Sequence, residues 1–163
     1  MNPHYIIDGY NFLHAVPKFR QNLEFGLEFA RTTLISFVRS YQSAKRVKIT
    51  LVFDGDELDH INIPFQTNRW LKIIFSRPPE KADPLIKRLI QATKNKKSLI
   101  SVSSDNDLVM FSKSLGVPAI SPKEFYDLAS SHPNEEQLGS KYNSHVSEQE
   151  LEEWLKLFGE EPK

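Results

Sequence analysis

The chain has 163 residues, with 21 basic and 21 acidic side chains for a formal net charge of zero, and no cysteine. That length suits one domain with a core large enough to need no staples. The lack of cysteine excludes disulfides, thiolate nucleophiles and cysteine-ligated zinc or iron–sulfur sites.

Tyr5-Ile6-Ile7 reads as a buried strand that ends on Asp8. Leu23, Leu27, Ala30, Leu34, Phe37 and Val38 recur at helical spacing, predicting a helix over 23–41. Val47–Phe53 and Leu71–Phe75 are the next strands. A second helical stripe follows at Ala82, Leu85, Ile86, Leu89 and Ile90. Leu99–Ser103 is a fourth strand, Asp105–Leu115 a short helix and Val117–Ile120 a fifth strand. Pro122–Ser130 reads as a helix capped by Ser121, with Glu124 completing the capping box. Residues 131–146 are polar and read as a linker. Ser147 and Glu150 then open an amphipathic helix over 147–158, with Leu151, Trp154, Leu155 and Phe158 on one stripe. That stripe suits packing back on the domain or docking a partner. Residues 1–130 thus form an α/β domain with a central, mainly parallel five-stranded sheet covered by helices on both faces.

No signal-peptide pattern opens the sequence and no apolar run approaches about 18 residues. A cytoplasmic protein without a membrane partner is expected.

Several apolar runs end in aspartate: Y-I-I-D-G, T-L-V-F-D-G-D and I-S-V-S-S-D-N-D. Each acid has a local explanation. Asp8-Gly9 and Asp54-Gly55 are turn dipeptides, Ser104 or Asp105 suits a helix cap, and Asp83-Pro84 suits an N-cap with proline at the first helical position. Parallel strands, however, deliver their C-terminal ends to one edge, where open α/β sheets bind ligands. Asp8, Asp54, Asp105 and Asp107 then crowd one rim. Crowded carboxylates repel one another unless a cation joins them, and an all-oxygen set suits Mg²⁺ or Mn²⁺. The residues point to a metal-dependent phosphoryl-transfer or phosphodiester-cleaving site.

Charge is unevenly spread. Nine Lys or Arg fall between Thr67 and Lys97 against two acids, and ten acids follow Lys123 against four lysines, counting that residue. Arg69, Lys72, Arg77, Lys81, Lys87 and Arg88 are candidates to track a phosphate backbone, with Tyr10 or Trp70 to stack on bases. An ordinary solvated helix surface explains the same charges. No histidine is placed as an obvious base, and His4 and His14 read as surface or hydrogen-bonding residues.

D-G-Y-N after a strand, then V-F-D-G, then E-K-A-D opening a helix, then S-S-D-N-D-L resemble in this order the motifs of the NYN domain. This is a branch of the PIN-like nuclease superfamily, and the likeness is to its YacP-like group of bacterial endoribonucleases. The resemblance spans roughly residues 1–128. It implies a PIN-like three-layer sandwich, Mg²⁺- or Mn²⁺-dependent cleavage of single-stranded RNA, and association with the ribosome. It also implies that Asp8, Asp83 and Asp105 are catalytic metal ligands joined by Asp107. Asn11 would orient a ligand or a metal-bound water and Asp54 would lie at the outer rim, with Glu80 and Ser104 as supporting candidates beside them. P-P-E-K-A-D-P departs from the family's usual G-E-T-A-D, puts Lys81 beside the site and leaves the role of Glu80 open.

The main alternative is a non-catalytic RNA- or ribosome-binding module on the same fold. An aspartyl phosphatase is a poorer match, since it needs an acid where Tyr10 stands, and no glycine-rich phosphate loop follows any strand.

Overall fold

A computed structural model describes residues 2–55 and 68–141. Its elements are β1 (His4–Asp8), α1 (Gly9–Ala15), α2 (Pro17–Asn22), α3 (Leu27–Lys45), β2 (Lys48–Phe53), β3 (Leu71–Phe75), α4 (Ala82–Ala92), β4 (Leu99–Val102), α5 (Asn106–Ser114), β5 (Ala119–Ile120) and α6 (Pro122–Lys141). The strands form one sheet in the order β3-β2-β1-β4-β5. Every pairing is parallel, with Asp8 level with Val52 and Ile7 level with Val102. The expected α/β sandwich is present.

Side-chain alternation sorts the strands into two faces. Tyr5, Ile7, Ile49, Leu51, Phe53, Leu71 and Ile73 join a core with Phe12, Phe19, Leu34, Val38 and Phe125, from α1, α2, α3 and α6. Ile6, Val52 and Leu99 join a second core with Leu85, Ile86 and Ile90 of α4 and Leu108 of α5. Runs such as Ile49–Phe53 are buried throughout because both faces are covered.

Three stretches depart from the sequence reading. Helices α1 and α2 fill a stretch with no clear helical stripe; each is short, and Pro17 opens the second. The helix expected from Leu23 starts as a 3₁₀ turn, Leu23–Phe25, and α3 begins only at Leu27. Between them Gly26 takes φ of 112°, a conformation that interrupts a helix and favours glycine. Finally, α6 runs on to Lys141, so residues 131–141 are helical where a linker was expected. The helix expected at 147–158 lies outside the described residues.

Among the described residues, no helix is long and apolar enough to cross a membrane.

Candidate active site

The connection from β1 runs toward β2 and β3, whereas β4 lies on the other side of β1. The C-terminal ends of β1 and β4 therefore flank the switch point of the sheet, where a crevice opens. Alternation sets the geometry there. Ile6 and Val52 face α4 and α5, so Asp8 and Asp54, two residues further along, continue on that face. The N-termini of α4 and α5 arrive at the same place, bringing Asp83 and the Asp105–Asp107 turn.

Asp8 is half-buried and caps α1. Its Oδ1 accepts the Asn11 N–H at 3.5 Å, and its Oδ2 accepts the Ser103 hydroxyl at 3.3 Å. Burial, reinforced by the charges of Asp54 and Asp105, pushes its carboxyl up to about 6, against the opposing pull of those two hydrogen bonds. Asp83 is likewise raised, first by burial and then by Asp105 and Asp107, while Lys87 opposes the rise. Asp105 therefore repels both Asp8 and Asp83 and links the acids into a row. The rim expected for Asp8, Asp54, Asp105 and Asp107 is present, and Asp83 joins it from the first turn of α4.

The row is not assembled as a metal cage. Among the described residues, no three Asp, Glu or His side chains stand at metal-holding spacing. Local bonds explain why. Asp105 Oδ1 caps α5, accepting from Asp107 N at 2.8 Å and Leu108 N at 3.4 Å. Asp107 Oδ2 is bonded to the Lys87 ammonium, which also lies 3.6 Å from Asp83 Oδ2. The donor chemistry nonetheless fits a hard divalent ion: the set is all oxygen, and Asp83 Oδ1 is buried with no hydrogen-bond partner.

Several residues have different duties from those expected. Asp54 Oδ1 accepts the Ala82 N–H at 2.5 Å, so it serves the start of α4 from 28 residues away. That helix begins at Ala82, which places Asp83 in its first turn and not at its cap. Asn11 spends its carbonyl oxygen on Ser104, accepting from N at 2.8 Å and from Oγ at 3.0 Å, and so clamps α1 to the loop after β4. Glu80 is paired with Arg88. Tyr10 packs on Phe53 at 5.2 Å between ring centroids and accepts from Arg31 at 2.9 Å, an anchored position unlike that of a free stacking platform.

Lys87 is bonded to Asp107, and the exposed Arg88 is paired with Glu80, so both of these candidate RNA contacts have acidic partners. Arg69, Lys72, Arg77 and Lys81 are exposed, and Arg69 lies over the Trp70 ring. Lys81 and Glu80 line an open concavity with Asp54, Gly55, Pro78 and Pro79 beside the row. His4 donates to or accepts from Thr50 at 2.9 Å; burial, with Lys48 and Lys72, lowers it to about 4.

Sequence reasoning missed Ser103. It is buried, donates to Asp8 and accepts from Asp105 N at 3.0 Å, joining two acids of the row. Its place on the α4 side follows from strand parity with Leu99 and Ser101, which was the available signal. Gly9 is also more than a turn residue. A Cβ there would stand 2.4 Å from the Phe53 ring and 2.9 Å from Val52 O. In the same way, a Cβ on Gly55 would stand 2.5 Å from Ser76 O.

A family model of the YacP-like NYN domain matches residues 5–158. The chain belongs to the YacP-like NYN domain family. The match extends well past the motifs near residue 128, through α6 and beyond it. This NYN domain is 32% identical over 101 residues to "Uncharacterized protein YacP" of Bacillus subtilis (strain 168). That alignment covers 62% of this chain and 59% of the relative, less than two thirds of its length. The fold is similar to a crystal structure of a point mutant of Rae1 (YacP) from Bacillus subtilis, with TM-score 0.69 and 26% identity over 95% of this chain and 92% of that one. A second Rae1 (YacP) crystal structure gives 0.68 and 26% over 98% and 93%. The NYN domain is a PIN-like nuclease domain, and membership supports a nuclease or RNA-related function.

Proposed function

We propose that this NYN domain is a metal-dependent endoribonuclease that cleaves single-stranded RNA, with mRNA on ribosomes as its setting. The observation that carries the reading is the acid row at the switch point. There Asp8 is held up to about 6 by burial and by Asp54 and Asp105, and Asp83 Oδ1 is buried without a partner. Capping accounts for one oxygen each of Asp8, Asp54 and Asp105, but it leaves Asp83 Oδ1 without a partner and Asp8 raised; a divalent cation would satisfy both.

Asp8, Asp83 and Asp105 would hold Mg²⁺ or Mn²⁺, with Asp107 at the edge of the set. The bound ion would supply positive charge for the phosphodiester transition state and a nucleophile at neutral pH. The chain's own residues do the positioning. Ser103 fixes Asp8 and the backbone of Asp105 through one hydroxyl, and Asn11 holds the loop that carries Ser104 and Asp105. Asp54 holds the start of α4, and so the position of Asp83. Exposed Arg77 and Lys81, which follow the C-terminal end of β3, would take the phosphates on either side of the cleaved bond.

The test is incubation of the full chain with unstructured and structured RNA, in Mn²⁺ or in EDTA, beside Asp8→Asn and Asp83→Asn. Cleavage of the unstructured RNA is expected in Mn²⁺ alone, and is expected to be lost in both variants. A variant that cuts at the wild-type rate would overturn the assignment, and RNA binding without cleavage would mark a binding module. Ribosome association is tested by co-sedimentation with ribosomes.

A further inference from the structure

The acids of the row gather at one edge of the sheet, and cations gather at the other. The chain reaches that N-terminal edge between α3 and β2, on entering β3, between α4 and β4 and between α5 and β5. These passages lie within residues 29–53, 68–79, 84–104 and 108–123, which contain no Asp or Glu. Arg46 closes α3, Lys48 opens β2, and Arg69 and Lys72 straddle the start of β3. Lys94 and Lys97 stand between α4 and β4. All six are exposed or half-exposed. Among the described residues, none of them is paired with a carboxylate.

Strand register brings these cations together. Lys48 is level with His4, and His4 with Leu99, which Lys97 precedes by two residues. Lys72 is level with Thr50, so side-chain alternation puts Lys48 and Lys72 on the α4 face together with His4. His4 reports their nearness, since both ammonium charges add to burial in lowering its ring. Like charges on neighbouring strands repel. Arg46 adds a second unfavourable feature, holding φ of 55° where glycine is the easier residue. The helix dipole favours cations at the end of α4 and accounts for Lys96, whose ammonium donates to Gln91 O at 3.1 Å and Thr93 O at 2.7 Å. It does not account for Lys48 and Lys72, which lie inside strands, or for Arg69 ahead of one. An ordinary solvated surface intersperses both signs, whereas this edge carries one.

We propose that the N-terminal edge of the sheet is a second nucleic-acid site, which takes the phosphate backbone of double-helical RNA. Its cations span β3, β2, β1 and β4, three strand spacings or about 14 Å. Sites for unpaired RNA set aromatic platforms among their charges. Here Tyr41 is buried, and Trp70 is half-buried with the Arg69 guanidinium 5.5 Å from its ring centroid. A duplex turns its bases inward and is held through phosphates and 2′-hydroxyls, which suits cations without platforms. β1 sets His4 four residues before Asp8, about 13 Å along the strand, so the edge and the acid row meet different segments of RNA. This site goes beyond the cleavage reading and needs no metal.

The experiment is fluorescence anisotropy of the full chain in EDTA. The probes are a blunt RNA duplex of about 16 base pairs and an unstructured RNA of about 8 nucleotides. Lys48→Gln with Lys72→Gln neutralises the edge on the strands, and Lys94→Gln with Lys97→Gln neutralises it on the connection to β4. Arg77→Ala with Lys81→Ala neutralises the rim. Each edge pair should weaken duplex binding about tenfold or more at low salt and lower its salt slope by about 2. The rim pair should leave duplex binding as it is and weaken binding of the unstructured RNA, which Lys94→Gln with Lys97→Gln should leave unchanged. Both edge pairs should melt no lower than wild type, because repulsion is relieved, and this separates lost contact from lost fold. If one pair fails to fold, the other decides. A wild type that ignores the duplex, or folded edge pairs that bind it as well as wild type, overturns the proposal. So do edge pairs that lose both RNAs alike, or a wild type that prefers phosphatidylglycerol vesicles to the duplex. Failure of the metal-dependent reading shows in the Mn²⁺ cleavage assay and leaves these metal-free results untouched.

Discussion

Replacing Asp8 by asparagine should stabilise the metal-free protein at neutral pH while abolishing cleavage. In the folded state the Asp8 carboxyl is raised from 3.8 to about 6, chiefly by burial. A raised acid holds its proton to higher pH when folded than when unfolded. Between about pH 4 and 6 the folded state therefore binds more protons, and stability falls as pH rises through that window. Above it the full cost applies, about 3 kcal/mol for a shift of this size. Asparagine carries no charge to desolvate and is itself a good N-cap, so the Asn11 N–H keeps an acceptor. The second bond, from Ser103 at 3.3 Å, cannot be kept equally well, at a cost of about 1 kcal/mol.

The net gain at pH 7.5 in EDTA is then about 2 kcal/mol, or about 4–8 °C in Tm for a chain of this length. It should vanish near pH 4.5, where wild-type Asp8 is already largely protonated. Urea unfolding of both proteins at the two pH values measures this directly. A loss of stability at pH 7.5, or the same gain at both pH values, would refute the claim that the charge of Asp8 is held at a cost. Mn²⁺ supplies the converse check: it should raise the Tm of wild type through binding to the folded state and leave Asp8→Asn unmoved.

Gly9→Ala forces a Cβ against the Phe53 ring and Val52 O, and should destabilise by about 1–3 kcal/mol in urea unfolding despite the higher helix propensity of alanine. Asn11→Ala removes the acceptor for Ser104 N and Oγ, and should cost about 1–2 kcal/mol by the same measurement, with faster amide exchange in the loop after β4. Asp54→Ala should cost about 1 kcal/mol through the uncapped Ala82 N–H, and should protect α4 less from exchange than α5. For RNA, Arg77→Ala and Lys81→Ala should each weaken binding and lower the salt slope by about 1, whereas Arg88→Ala, whose charge faces Glu80, should leave binding unchanged.

The acid row was legible because two-face burial of parallel strands demands continuous apolar runs, and such runs make their ends easy to locate. Asp8, Asp54 and the Asp105–Asp107 turn stand at those ends, and parallel topology carries them to one rim. The fold class followed from the same runs alternating with helical stripes. Helices α1 and α2 were not legible, since neither is long enough to show a periodic stripe and a glycine opens one and a proline the other. Gly9 was read as a turn former, but it is required by a ring on the neighbouring strand, and no local pattern reports which strand is the neighbour.

By itself, then, the sequence determined the strands, the sense in which they deliver their acids, and the all-oxygen, cysteine-free character of the side chains at that rim. Tertiary structure decided how each acid is employed. Asp54 meets the start of α4 across 28 residues, Asn11 meets Ser104 across 93, and Lys87 meets Asp107 across 20. The contacts that assign those roles join segments far apart in the chain. They exist only after strand order has put β1 between β2 and β4 and packing has brought the N-termini of α4 and α5 together, information that spacing within any one segment does not carry.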